Sequence, residues 1–273
     1  MKGARIGIMG GTGGMGRWFA DFLKGQGCAV ETLGKGQEDE IPALARRSSV
    51  VVVSVPIHAT IRTIERVGPH MREDAVLMDL TSVKAEPVKR MLECSRSEVI
   101  GLHPLFGPGV VSLRGENVAV CPARGEKWLP RVRALFLSSG VRLVETTPER
   151  HDEMMSFVQV LTHLCGIMTG LALGESGIGR EDLLSFSTPA FRAQLGLVKK
   201  IFGANPRLYA DILSTNPGTP RIMEMLERNL SRVKAFVEKG DAEGLTGFIL
   251  SASRSAGSVT PPPLAPPTEG GEF

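Results

Sequence analysis

The chain has 273 residues, 42% of them hydrophobic and 22% charged, a composition typical of globular proteins and sufficient for two modest domains. Its formal net charge of +3 is too small to indicate a nucleic-acid partner, and an aromatic content of 5% argues against a surface that stacks single-stranded bases. Its four cysteines are scattered, with no C-x-x-C pair and no secretory signal, so we expect reduced thiols in a cytoplasmic protein.

The N-terminal stretch predicts a nucleotide-binding turn. An apolar run at 4–9 is followed by glycines with the G-x-G-x-x-G spacing and then by an apolar helical pattern. The first glycine permits the tight turn, the second lets the backbone approach a pyrophosphate, and the third lets helix and strand pack closely. The helix adds free N–H groups and a positive dipole end. The predicted cofactor-binding residues are Gly11, Thr12, Gly13, Gly14, Met15 and Gly16. The alternative is a purely structural glycine-rich turn.

Short apolar runs alternate with helical patterns up to about residue 147, which predicts a doubly wound parallel sheet. Near-continuous valines, as at 50–55, are typical of strands buried on both faces. The predicted strands are 4–9, 29–33, 50–55, 75–80, 98–102, 117–121 and 141–145. Such sheets bind ligands beyond the carboxyl ends of their strands, so the residues that follow each strand are the candidates for a site.

The residues after the second strand bear on the choice of nucleotide. The usual partner of an NAD ribose is an acidic residue about 20 positions beyond the glycines. Leu33, Gly34 and Lys35 stand there instead, so a 2′-phosphate would meet no repulsion and Lys35 would supply an opposite charge. We therefore predict NADP. NAD remains the alternative, with Lys35 a solvated loop residue and Glu31 or Glu38 on the ribose.

Two further strand ends carry candidate side chains. Ser54, Val55 and Pro56 follow the third strand and are predicted to flank the cofactor. His103 follows the fifth strand, where a nicotinamide would lie. Imidazole has a pKa near neutrality, so His103 is predicted to be catalytic, and the alternative is a structural histidine.

The pattern changes to helices from about residue 148. A predicted apolar helix at 151–174 carries Asp152, Ser156, Gln159 and His163 at spacings that place them on one face. This stripe predicts either a lined cavity or a set of satisfied core groups. It also argues against a membrane span, as does the absence of a flanking basic cluster.

A later helix begins near Pro189, after a hydroxyl cap. Arg192 lies in its first turn, which is the less favourable end of a helix for a cation, and a bound anion would relieve that conflict. We therefore favour substrate binding by Arg192 over a plain surface position. Further helices are predicted at 205–214, 219–238 and 241–251, and a disordered proline-rich tail at 253–273.

These segments together resemble the prephenate dehydrogenase family over roughly residues 4–250. The similar motifs are the glycine-rich opening, TSVK at 81–84, GLHPLFGP at 101–108, HD at 151–152, QVLTH at 159–163, STPAFR at 187–192 and LYADI at 208–212. The histidine-containing segment at 101–108 is far more specific than the glycine spacing.

The resemblance implies a Rossmann domain at 1–147 and an all-α substrate and dimerisation domain at 148–252, which together form a homodimer with a cleft between the domains. It implies an oxidoreductase of tyrosine biosynthesis that converts prephenate to 4-hydroxyphenylpyruvate, with loss of CO₂ and hydride transfer to the nicotinamide. No metal is needed, because formation of the aromatic ring drives the decarboxylation.

The resemblance also implies roles for five side chains. His103 would take the proton of the substrate C4 hydroxyl, and Ser82 would orient that hydroxyl or the imidazole. Arg192 would bind a substrate carboxylate. His163 and Gln159 would help to bind the substrate.

Two departures from the family pattern and three alternatives remain at this point. The acidic residue that NAD-using members carry is missing, and no helical segment is left over for a fused chorismate mutase.

The nearest alternative is arogenate dehydrogenase, which performs the same chemistry on an aminated substrate. A reductase of the coenzyme F420–NADP type shares the glycine-rich opening but gives no reason for 101–108. A non-catalytic NADP-binding sensor would not need Ser82, His103, His163 and Arg192 together.

Overall fold

The computed structural model describes residues 1, 3–203 and 205–255, and its central feature is one seven-stranded sheet. The strands are β1 (Arg5–Met9), β2 (Ala29–Leu33), β3 (Val50–Val53), β4 (Val76–Asp79), β5 (Glu98–Pro104), β6 (Asn117–Arg124) and β7 (Arg142–Glu145). Their order is β2-β1-β3-β4-β5-β6-β7. The doubly wound α/β sheet and all seven predicted strands are confirmed.

The sheet differs from the prediction at one edge. Strands β1 to β5 are parallel, as predicted, but β6 is antiparallel to β5, and β7 is parallel to β6. The direction reverses because no helix separates β5 from β6. The strand order also changes direction between β1 and β3, which opens a crevice beyond their carboxyl ends.

Helices cover the sheet and then continue alone. The first five are α1 (Gly14–Gly25), α2 (Ile41–Arg47), α3 (Ile57–Val67), α4 (Ala85–Cys94) and α5 (Leu129–Leu137). The later ones are α6 (Pro148–Met155), α7 (Thr162–Glu175), α8 (Arg180–Ser185), α9 (Pro189–Gly203), α10 (Pro206–Thr215), α11 (Thr219–Lys239) and α12 (Ala242–Ser255). The helical second half predicted from the sequence is thereby confirmed.

The core lies on both faces of the sheet, as the valine run predicts. Val50 and Val52 pack into one apolar cluster, with the α1 and α5 side chains, while Val51 and Val53 pack into a second cluster on the opposite face. All four valines are fully buried. Alternate side chains of a strand point to opposite faces, so a strand with helices on both sides needs an apolar residue at every position.

The glycine turn is built slightly differently from the prediction. Gly10, not Gly11, has the left-handed conformation (φ +83°) that makes the tight turn after β1. Gly11 lies against the side chain of Thr32, so a larger residue would collide there. Gly16 packs onto the carbonyl oxygen of Gly10, which is the close helix–strand contact expected of the last glycine in the motif.

The apolar helix predicted at 151–174 is longer and is interrupted. It begins with α6, where the Thr147 hydroxyl accepts a hydrogen bond from the Arg150 amide (3.2 Å), and it ends with α7. A π-helical turn (Ser156–Leu161) separates the two. By length and composition alone the run Pro148–Glu175 could cross a membrane, and only 11% of its most apolar window is buried.

The chain divides into two compact units, residues 1–222 and the residues from Met223 onward. In the second unit, α12 continues to Ser255, three residues beyond the predicted end of the helical domain. The Arg232 guanidinium lies 4.0 Å from the centre of the Phe248 ring. The proline-rich tail predicted at 253–273 lies outside the described residues from position 256 on.

Substitution of Gly16 tests the packing of the glycine turn. We expect Gly16→Ala to lower the free energy of unfolding by about 1–3 kcal/mol, because its methyl group would collide with the Gly10 carbonyl. Gly25→Ala, in the same helix, is the control, since no atom lies within 4 Å of its added methyl group. Urea unfolding measures both variants, and equal stability of the two would contradict the packing described.

Candidate active site

The start of α1 fits the phosphate groups of a dinucleotide. Gly13 is the N-cap of α1, no side chain caps the helix, and its first turn contains no acidic residue. The first-turn N–H groups therefore lack intrahelical partners, and the helix dipole favours an anion. A Cβ atom on Gly13 would come no closer than 3.4 Å to protein, so packing within the chain does not demand glycine there.

The other predicted cofactor residues flank this turn. The Ser54 amide donates to the Met9 carbonyl (2.8 Å), which brings the end of β3 against the glycine turn. Val55 and Pro56 follow, and Pro56 is the N-cap of α3. All three thus lie at the strand edge where the crevice opens.

The segment after β2 is largely exposed, and its first three residues, Gly34, Lys35 and Gly36, include no acidic side chain. Lys35 is exposed there, and the Gln37 side chain accepts a hydrogen bond from the Gly34 amide (2.9 Å). Glu31, one of the alternative ribose partners, forms an ion pair with Arg47. The carboxylate of Glu38 accepts a hydrogen bond from the Gly36 amide (3.2 Å).

His103 lies near the carboxyl end of β5, is 3% exposed, and is followed by a segment that returns to α1. The ring of Phe106 meets Trp18 of α1 edge-on, with 5.1 Å between ring centres. Pro108 lies beside Gly14, 3.2 Å from where a Cβ atom on that glycine would be. The histidine segment and the glycine turn are therefore packed together at one edge of the sheet.

A chain of hydrogen bonds holds the imidazole of His103 from behind. Its Nδ1 atom lies 2.9 Å from Nε2 of His151, whose Nδ1 lies 2.8 Å from the Asp152 carboxylate. That carboxylate also accepts hydrogen bonds from the amides of Lys84 (2.7 Å) and Ala85 (2.9 Å), at the start of α4. His151 and Asp152 are each only 2% exposed.

The hydrogen-bond roles in this chain follow from its carboxylate end. An ionised carboxylate only accepts, so Nδ1 of His151 donates to Asp152, and Nε2 of a neutral His151 accepts. Nδ1 of His103 must then donate to His151, which leaves a lone pair on Nε2 of His103. The side-chain amide nitrogen of Gln159 lies 3.4 Å from that atom.

A buried ion pair lies beside His103. The ammonium group of Lys84 donates to the Asp79 carboxylate and to the Leu102 carbonyl (2.8 Å), and both charged side chains are fully buried. Burial, His151 and the Lys84 charge together lower the pKa of His103 well below its ordinary value. His103 is therefore neutral near pH 7, as a proton acceptor must be.

Two side chains of the helical run present polar atoms without protein partners. The Oε1 atom of Gln159 and the Nδ1 atom of His163 are buried and unbonded among the described residues. The His163 ring meets Tyr209 edge-on, with 4.8 Å between ring centres, and burial together with Lys200 lowers the pKa of His163. Buried polar atoms usually have partners, so these two atoms indicate space for a ligand or water.

The remaining predicted residues are less closely tied to the site. Ser82 is half-buried after β4, and its hydroxyl makes no hydrogen bond within the described part of the chain. Arg192 is exposed and donates to the carbonyl (3.3 Å) and hydroxyl (3.0 Å) of Ser187. No contact in the described ranges joins Arg192 to His103 or Gln159, so the substrate-binding role of Arg192 stays a prediction.

The predicted polar stripe does not line a single cavity. The hydroxyl of Ser156 is satisfied by the Glu153 carbonyl (2.7 Å), and Ser156 packs against Gly218. Gln159 faces His103, whereas Asp152 faces the start of α4. The stripe thus contains a satisfied core group at Ser156 and an unsatisfied polar atom at Gln159, and the lined cavity stays a prediction.

Sequence reasoning missed four residues of the site. They form the buried polar network beside His103, and the sequence analysis assigned none of them a catalytic or binding role: Asp79, Lys84, His151 and Asp152. The available signal was the pair HD at 151–152 at the start of an apolar helix, together with charged residues that directly follow a buried strand.

The cysteines are not arranged for chemistry. All four are free, and burial raises the pKa of Cys121 to about 12, so its thiol is inert near neutral pH. Among the described residues no group of three or more histidine, cysteine, aspartate or glutamate side chains could hold a metal ion.

The lowered pKa of His103 predicts its charge state in solution. As the pH falls through about 6.5, the ordinary histidine value, His103 should stay neutral and gain a proton only at lower pH. Carbon-13 NMR of labelled histidine side chains measures this titration, and loss of a resonance in His103→Gln assigns it. Protonation of His103 at or above pH 6.5 would contradict the buried, cation-flanked environment described.

Two family models match consecutive parts of the chain. One is described as the nucleotide-binding domain of prephenate dehydrogenase and matches residues 22–145, and the other is described as its dimerization domain and matches residues 147–250. The structure of prephenate dehydrogenase from A. aeolicus in complex with hydroxyphenyl propionate and NAD+ superposes with a TM-score of 0.75. It covers 94% of this chain and 98% of its own at 19% identity, a likeness of fold.

Curated relatives are more similar in sequence. A probable arogenate/prephenate dehydrogenase of Methanocaldococcus jannaschii is 34% identical over 93% of this chain, and the T-protein of Haemophilus influenzae is 33% identical over 88%. The chain spans only 61% and 64% of the length of these two proteins. The 4-amino-4-deoxyprephenate dehydrogenase of Streptomyces pristinaespiralis is 33% identical over 86% of both chains. The chain belongs to the prephenate dehydrogenase family.

Proposed function

We propose that this chain oxidatively decarboxylates prephenate to 4-hydroxyphenylpyruvate with hydride transfer to NADP. The observation that carries the proposal is the Nε2 lone pair of His103, which lies at the strand edge beside the glycine turn and has only the side-chain amide of Gln159 (3.4 Å) as a partner among the described residues. Membership of the prephenate dehydrogenase family supports this substrate and reaction.

The base at this edge accounts for the proton in the reaction. Removal of hydride from C4 of prephenate requires the C4 hydroxyl to lose its proton, and His103 accepts it on Nε2. The bound nicotinamide supplies the hydride acceptor. The unbonded hydroxyl of Ser82 orients the substrate hydroxyl, and Gln159 holds the substrate beside the imidazole. Loss of CO₂ then produces the aromatic ring.

The substrate carboxylates need cationic or donor groups. Arg192 is assigned to one carboxylate, because a planar guanidinium binds two oxygens at once and its present partners are neutral serine groups. His163 contributes its unbonded, buried Nδ1 atom. Both assignments concern binding, not chemistry.

NADP is proposed over NAD because of the segment after β2. The Glu31 carboxylate is engaged in an ion pair with Arg47. The side chain of Lys35 is exposed, and it would bind a 2′-phosphate. NAD is the alternative cofactor, because the similar A. aeolicus prephenate dehydrogenase structure is a complex with NAD+.

A homodimer is proposed from the exposed apolar face of the helical half. Met168 and Leu171 of α7 are each about half exposed, and Phe186 after α8 is 89% exposed. A second copy of the chain would bury such a face, and the match to a dimerization domain supports this. We assign residues 1–147 to nucleotide binding and 148–252 to substrate binding and dimerisation, in a cytoplasmic enzyme.

The direct test is the growth of reduced-nicotinamide absorbance with each substrate and nucleotide. Prephenate, arogenate and 4-amino-4-deoxyprephenate are compared side by side, because relatives are named for each of these substrates. We expect the highest kcat/KM with prephenate and NADP. Preference for arogenate would support the second candidate function, and NADP binding without reduction by any substrate would indicate a sensor.

Substitutions at His103 and Arg192 separate chemistry from binding. His103→Asn should lower kcat by on the order of 10²–10⁴, the range for a lost general base, with KM nearly unchanged. Arg192→Gln should mainly raise KM, by an amount matching about 1.5–3 kcal/mol for a charged hydrogen bond. Steady-state kinetics measure both, and an unchanged value in either variant removes that residue from its role.

Lys35 tests the nucleotide preference. Lys35→Ala should raise KM for NADP by about tenfold or more and leave KM for NAD unchanged, because only the 2′-phosphate would lose a charged partner. Lys24→Ala, an exposed lysine near the far end of α1, is the control. Gly34→Asp is less informative, since its Cβ atom would come within 2.7 Å of Thr12 in the glycine turn. An equal effect on both nucleotides would contradict the NADP assignment.

Leu171 tests the dimer. Leu171→Asp should raise the dimer dissociation constant by on the order of 10²–10⁴-fold, because about 1.5–3 kcal/mol of apolar burial is lost in each of two copies. Leu137→Asp, on α5, alters an equally exposed leucine outside the helical half and should leave the dimer intact. Light scattering after size exclusion measures the mass, and a monomeric wild-type protein would refute the proposal.

A further inference from the structure

His151 lies on the Nδ1 side of His103, and both of its ring nitrogens make hydrogen bonds. One nitrogen contacts His103 and the other contacts Asp152, and the two imidazole rings meet edge-on with 5.1 Å between their centres. His151 is almost completely buried. It therefore touches the substrate side of the site only through His103.

We propose that His151 is a positioning residue that fixes the tautomer of His103 and receives its Nδ1 proton during turnover. The inference rests on the proposed function, because it assigns a destination to the proton of the substrate hydroxyl. It goes beyond that function in making two imidazoles, not one, the proton-accepting unit.

The proton movements balance without any further reactant. The substrate O–H bond breaks and a bond from that hydrogen to Nε2 of His103 forms. The Nδ1–H bond of His103 breaks as a bond to Nε2 of His151 forms, so His103 ends neutral. The positive charge finishes on His151, hydrogen-bonded to the Asp152 carboxylate. The relay itself transfers no electrons, since hydride leaves from carbon.

The charges around the pair favour this destination. A proton held on His103 would face the buried ammonium of Lys84, whereas a proton passed to His151 would lie against Asp152. The buried cluster otherwise holds one ammonium and two carboxylates, so one additional proton makes it neutral. The groups bonded to the two imidazoles are Asp152 from α6 and Gln159 from the π-helical turn, and the charge of Lys84, at the start of α4, also acts on His103.

His151→Gln tests the relay in the full-length enzyme. A glutamine carbonyl can still accept from Nδ1 of His103, but it cannot take up a proton. We expect kcat to fall about 10- to 100-fold with KM within about twofold of wild type. The acid limb of the kcat–pH profile should move to lower pH by about one unit, because the proton would have to stay on His103 beside Lys84. The matched control is His70→Gln, whose ring contacts Arg46 away from the site.

A kcat–pH limb that does not move in His151→Gln would overturn the relay, because a purely structural role would lower the rate without changing the limb. Nitrogen-15 NMR of wild-type histidines gives a second readout that needs neither turnover nor a stable variant. We expect both His103 and His151 to carry their proton at Nδ1 in the resting enzyme. A proton on Nε2 of resting His103 would refute the inference. Absence of prephenate turnover with the expected NMR result would refute the proposed function alone.

Discussion

The carboxylate of Asp152 organises the site. It accepts hydrogen bonds from the backbone amides of Lys84 and Ala85 at the start of α4, and it accepts a hydrogen bond from Nδ1 of His151. Its own backbone carbonyl accepts from the side chain of Asn216 (3.0 Å), in the turn after α10. A buried carboxylate is stable only when such donors surround it, so this one group ties together the loop after β4, the start of the helical half and the base.

The neutral state of the base follows from its surroundings. His103 is enclosed by the sheet and flanked by the Lys84 ammonium, both of which disfavour a positive charge on its ring. In the proposed relay the proton moves from Nδ1 of His103 to His151, which is hydrogen-bonded to Asp152. The same surroundings therefore account for both parts of the proposal, a neutral acceptor at His103 and a place for the proton beside the Asp152 carboxylate.

The sheet could be predicted from sequence because its signals are local. The valine run at 50–53 is buried on both faces. The position of His103 is likewise predicted by a local signal, the end of a buried strand. The reversal of β6 was missed because the sequence between β5 and β6 shows only the absence of a helix. The tight turn predicted at Gly11 is made by Gly10, since the glycine motif does not indicate which of the adjacent glycines turns the chain.

The hydrogen-bonded support of the base could not be read from spacing. His103 and His151 lie 48 positions apart, and Lys84 and Asp152 lie 68 apart, so only the folded chain brings them together. The polar stripe was drawn with a period of 3.6 residues, whereas the π-helical turn at 156–161 changes that period and turns Gln159 towards His103. Interactions between distant segments, and departures from α-helical geometry, are the two kinds of information that the pattern lacked.

The most direct measurement is a crystal structure of the enzyme with NADP⁺ and a non-reactive prephenate analogue that retains the C4 hydroxyl. The account predicts that hydroxyl within hydrogen-bonding reach of Nε2 of His103, about 2.6–3.2 Å, with the nicotinamide on the opposite side of C4 and the pyrophosphate at the start of α1. An analogue bound away from His103, or hydrogen-bonded to another side chain at its C4 hydroxyl, would contradict it.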